Sequence, residues 1–125
     1  MNQVVLREGV RGGAILSFCS VALAVLGLTP ALRWIPEVPL LGTAIVLPVL
    51  LLVWSGWRAA SRAGRLVAGA LTAALAGALG GCVGGIAYVL AGKPALNIAV
   101  GLLGGALVGG ALGFVGATLR LRRPA

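Results

Sequence analysis

Histidine is absent from this chain, and Glu8 and Glu37 are its only acidic residues. Most general acid–base, metal-assisted and nucleophilic mechanisms draw on groups that are missing here, so no catalytic constellation can be assembled, and no enzyme, cofactor site or metal site is expected. Cysteine is scarce too. Cys19 and Cys82 both fall inside apolar runs, at depths that differ by roughly 13 Å if their helices run the same way. A disulfide needs Cα atoms within about 7 Å, so both are read as small buried hydrophobes. Charge of either sign is sparse, at 10% of residues against 60% hydrophobic, with a mean hydropathy of +1.11. A soluble domain carries about a quarter charged residues. Too little polar surface is present to cover a globule in water.

Four long apolar runs make up the remainder. They span about residues 13–32, 38–57, 66–91 and 96–119, each reaching the roughly 20 residues that cross a hydrocarbon core. No charge falls inside these spans. The third is long enough to tilt or to project beyond the core. The connections are short: Arg33 to Glu37, then Arg58 to Arg65, then Gly92 to Ala95. Short connections force antiparallel neighbours, so the expected fold is an all-α membrane protein, a four-transmembrane-helix up-down-up-down bundle in a single domain over residues 1–125.

The basic residues orient that bundle. Arg7, Arg11, Arg58, Arg62, Arg65, Arg120, Arg122 and Arg123 fall on one side of a four-pass arrangement, and only Arg33 and Lys93 on the other. The positive-inside rule then puts both ends of the chain in the cytoplasm and argues against dual topology. The same placement makes the net charge of +8 a topology signal, not a nucleic-acid footprint. Arg58, Arg62 and Arg65 follow a helical spacing that suits anionic headgroups, and Arg120, Arg122 and Arg123 lie at the same level. Trp54 and Trp57 mark the cytoplasmic interface, Trp34 and Tyr88 the outer one. The excess of arginine over lysine, with abundant Ala, Gly, Leu and Val, fits a bacterial inner-membrane protein.

Two local features qualify this outline. Pro48 sits inside the second run and should bend that helix. The first run has a charged start like a signal peptide, but it ends in Thr29, Pro30, Ala31 and Leu32 without a clear cleavage site, so a retained helix is expected. A faint echo of Arg7-x-Gly9 in Arg62-x-Gly64 allows duplicated hairpins over 1–57 and 58–125.

The densest pattern is glycine. Gly69, Ala73, Gly77, Gly81 and Gly85 line one face of the third helix, and Gly101, Gly105, Gly109, Gly113 and Ala117 one face of the fourth. In water each glycine would cost about 1 kcal/mol relative to alanine in a helix. In lipid the backbone has no other hydrogen-bond partner, and small residues become a docking surface. The two stripes can pack on each other within one chain. Gly104, Gly110 and Gly116, together with Gly80 and Gly84, lie on further faces and suggest a second contact surface. The expected role is therefore a non-enzymatic structural or accessory subunit that associates with itself or with another membrane protein in the bilayer. A small oligomeric channel or facilitator is the alternative. The polar side chains within the runs, Ser17, Ser20, Thr43, Ser55, Thr72, Tyr88, Asn97 and Thr118, are expected to satisfy backbone carbonyls or neighbouring helices.

Overall fold

The computed structural model describes residues 3–28 and 37–123, with the side chains of 27, 28, 37, 38, 40 and 41 left aside. Four helices account for nearly all of it: α1 (Gln3–Leu28), α2 (Glu37–Ala63), α3 (Leu66–Leu90) and α4 (Leu96–Leu121). All four are long and apolar enough to cross a membrane. They form an antiparallel bundle, and the protein is a multi-pass membrane protein of all-α class.

The first two helices differ from the apolar runs. α1 starts at Gln3 and takes in Arg7, Glu8 and Arg11, while α2 continues through Arg58 and Arg62 to Ala63. The physical reason is that a helix does not stop where its hydrophobicity stops. Its hydrogen bonds continue into the interface, and Arg, Glu and Ala are good helix formers there. What reads as an eight-residue linker is therefore a tight joint of Gly64 and Arg65. Gly64 has φ +66° and Gly92, in the second turn, φ +84°; both are left-handed conformations that glycine supplies without strain. Residues 29–36, including Arg33, Trp34 and the expected end of the first run, lie outside the described residues, as does the side chain of Glu37.

The helices form a diamond. α2 and α3 touch each other across the short diagonal, and each also touches α1 and α4, while α1 and α4 make no contact among the described residues. The parallel α1–α3 pair is set by Gly9 against Leu75, Gly12 against Ala76, Gly13 against Leu79 and Gly80 against Leu16. The antiparallel α3–α4 pair runs from Gly85 against Asn97 to Gly69 against Ala117.

Burial is lopsided. In α1 no described side chain after Leu16 is buried, in α2 none before Leu52, and in α4 none before Gly109. The buried positions of those three helices therefore crowd toward the end that holds Glu8, Arg58, Arg62 and Arg120, here called the arginine end. Leu16, Leu52, Ala73 and Ala76 form the apolar cluster at its upper edge. The largest side chain buried completely is only a threonine, Thr72. Small residues let backbones approach, and dispersion between backbones, not expulsion of water, holds such a core in lipid.

Candidate functional site

Two constructions meet at the arginine end. The first is a glycine junction. A methyl group added at Gly77 or Gly81 would overlap the carbonyl of Gly105 or Gly101, and one added at Gly101, Gly105 or Gly109 would overlap the α3 carbonyls of Gly81, Gly77 or Ala73. Both stripes thus face each other inside the chain. Toward the arginine end α2 joins them. The missing Cβ of Gly69 would lie 2.6 Å from Ala117 Cβ and 2.7 Å from the carbonyl oxygen of Gly56, and Gly56 itself abuts the backbone of Gly113. Gly116 abuts the carbonyl of Val53. Three helices therefore converge on Gly56, Gly69, Gly113 and Gly116. Gly56 stands outside both sequence stripes and closes the junction; its signal was a lone glycine between Trp54 and Trp57 in an otherwise bulky run.

The glycines off the main stripes divide accordingly. Gly116 is spent against α2 and Gly80 against α1, and Gly110 makes only an ordinary contact, 3.6 Å from Ala74 Cβ. Gly42, Gly84 and Gly104 meet nothing within 4 Å among the described residues. Gly84 lies one turn beyond Gly80 on the same stripe, and the contact that Leu16 makes at Gly80 is not repeated there among the described residues.

The second construction is ionic. Glu8, only 5% exposed, points from α1 toward the end of α2. Arg58 Nε lies 3.0 Å from Glu8 Oε2, off the line of a hydrogen bond, and Arg62 Nη1 donates to Glu8 Oε1. Arg58 and Arg62 are one turn apart, so both guanidinium groups reach one carboxylate from the same helix face. Arg58 thus turns inward, against its expected place toward lipid. Arg62 is half exposed, and Arg65, Arg122 and Arg123 remain exposed at the helix ends. Glu8 lies outside the apolar run at 13–32, but α1 begins at Gln3, so this charge belongs to the helix and is enclosed. The readable signal was the spacing of Arg58 and Arg62 with a single acid available at that end.

The polar side chains within the four helices behave in two ways. Ser55 donates to the Leu52 carbonyl at 2.9 Å, Thr43 to Pro39 at 2.8 Å, Thr118 to Phe114 at 2.6 Å, and Asn97 Nδ2 to Pro94 at 2.9 Å at the start of α4. These satisfy local carbonyls. Thr72 is fully buried and its Oγ1 makes no hydrogen bond. Gly12 and Ala76 face each other, and one turn back along the two parallel helices come Glu8 and Thr72, so the threonine occupies the layer of the ion pair. Cys19 and Cys82 are free thiols. Among the described residues no group of three or more His, Cys, Asp or Glu side chains could hold a metal ion.

A second arginine–tryptophan pair flanks the first on the outer surface. Arg58 stacks over Trp54 with 5.2 Å to the ring centroid, and Arg120 of α4 over Trp57 with 5.8 Å. Arg120 Nε also donates to Ser61 Oγ at 3.0 Å, while Ser61 donates to the Trp57 carbonyl at 2.8 Å.

No family model matches this chain, and no curated protein or solved structure matches it. Its class, a four-helix multi-pass membrane protein clamped at one end, is defined by its own geometry.

Proposed function

We propose that the protein is a non-enzymatic structural or accessory subunit of a membrane assembly, docking a small-residue helix face of its partner against the unfilled half of the bundle. The observation that carries this reading is the set of Gly42, Gly84 and Gly104, which meet no neighbour within 4 Å among the described residues. A second copy of the chain and an unrelated membrane protein can both supply the facing helix. The glycines of the α3–α4 seam do not support association, because each side of that seam already occupies the other. A non-enzymatic role rests on the residue types: without histidine and with two acids in all, proton transfer and nucleophile activation have few groups to use.

The orientation belongs to the same reading. The antiparallel bundle gathers eight arginines at one end, and the positive-inside rule assigns that end to the cytoplasm of a bacterial inner membrane. Native mass spectrometry of protein extracted with its surrounding lipid tests the docking. A homo-oligomer or a reproducible heteromer that Gly104→Leu disperses is the expected result. A monomer under all extraction conditions contradicts it. If the mass is homo-oligomeric, flux of small solutes in proteoliposomes decides whether the assembly is a facilitator.

A further inference from the structure

Among the described residues, eight arginines share the arginine end with one carboxylate, Glu8, which is already enclosed by Arg58 and Arg62. Arg120 is the best positioned of the remainder. One face of its guanidinium rests on Trp57, and its Nε is fixed by Ser61. Arginine has five N–H donors in a planar fork, so the terminal nitrogens remain to be satisfied. No carboxylate reaches them among the described residues. Beside them stands the half-exposed indole of Trp57, with the half-exposed Trp54 three residues earlier on α2. Indole rings settle at the headgroup level, where one edge is wet and the other apolar. The exposed flank below them continues as apolar helix, with Leu50 on α2 uncovered.

We infer that the surface between the ends of α2 and α4 is a binding site for one anionic phospholipid, with Arg120 on the headgroup phosphate, Trp57 and Trp54 at the glycerol level, and the acyl chains along Leu50. The phosphate supplies the negative charge that no described carboxylate brings to Arg120, and a fork held over a ring loses little side-chain entropy when it engages phosphate. The surface potential of an anionic leaflet attracts all eight arginines alike; what marks this site is that one cation is fixed in place before the lipid arrives. The inference does not rest on the proposed docking role.

The test uses the full chain in a Trp34→Phe background, so that only Trp54 and Trp57 report. Fluorescence is measured in phosphatidylcholine vesicles that contain equal minor fractions of brominated phosphatidylglycerol or brominated phosphatidylcholine. The expected result is an occupancy by the anionic quencher about fivefold above that of the neutral one, the size of one well-placed basic residue. Arg120→Gln removes most of that preference and Arg123→Gln leaves it. Ser61→Ala, which frees the guanidinium but keeps every charge, weakens it about twofold and guards against a misfolded Arg120 variant. Inorganic phosphate added to the buffer leaves the quenching unchanged. Equal quenching by the two lipids, equal losses in Arg120→Gln and Arg123→Gln, unchanged preference in Ser61→Ala, or displacement by free phosphate would each overturn the inference.

Discussion

At the arginine end, α2, α3 and α4 touch backbone to backbone through Gly56, Gly69, Gly113 and Gly116, and α1 is tied to α2 by Glu8 between Arg58 and Arg62. At the far end the same four helices hold on chiefly through the α3–α4 seam, with Gly85 still against Asn97. There α1 exposes Phe18, Val21 and Val25, and α2 exposes Ile45, Val46 and Leu50 around a shallow groove at Pro39, Gly42 and Thr43. The composition of the two halves is similar: both are rich in Ala, Gly, Leu and Val. What differs is where the glycines are matched. A glycine contributes to helix association in lipid only when another backbone occupies the space it leaves. Pro48 falls in α2 between the two regimes, where it removes one helical hydrogen bond.

The contrast can be broken most severely at the seam. Gly77→Ile and Gly81→Ile would drive a branched side chain into the facing carbonyl, and each should cost about 3 kcal/mol or more of unfolding free energy, measured by steric trapping in bicelles. A loss under about 1 kcal/mol would mean that the helices sit further apart than described. Next in size is the ion pair. Glu8→Gln leaves Arg58 without its partner in a largely enclosed place and should cost about 3 kcal/mol. Arg62→Gln removes a half-exposed partner and should cost at most about 1 kcal/mol. Equal losses for the two would show that the carboxylate is not enclosed. Smallest of all, Gly42→Leu and Gly84→Leu in the open half should leave the stability of the isolated chain within about 0.5 kcal/mol of the parent.

Much of this fold is legible in the sequence. The apolar runs and short joints around Gly64 and Gly92 give four antiparallel helices, and the register of α3 and α4 follows from glycines spaced by four. The ends of α1 and α2 are less legible, because hydropathy marks where lipid ends and not where backbone hydrogen bonding ends. Glu8 illustrates the consequence: it looks like part of a polar leader until α1 is wound back to Gln3, which places it opposite Arg58. Which spare glycines are used is not legible at all. Gly116 and Gly104 look equivalent along α4, yet one abuts the Val53 carbonyl and the other meets open space, since that depends on where α2 runs. Likewise Arg120 reads as one of three tail arginines, and only the packing of α4 on α2 sets it over Trp57.

The central claim, that the bundle is clamped at one end and open at the other, is tested most directly within a single helix. Gly113→Leu and Gly104→Leu are the same substitution on α4, one inside the three-helix junction and one in the open half. Unfolding free energies measured side by side in one bicelle preparation should show a loss of about 3 kcal/mol or more for Gly113→Leu and no more than about 0.5 kcal/mol for Gly104→Leu. Equal losses at the two positions would contradict the account.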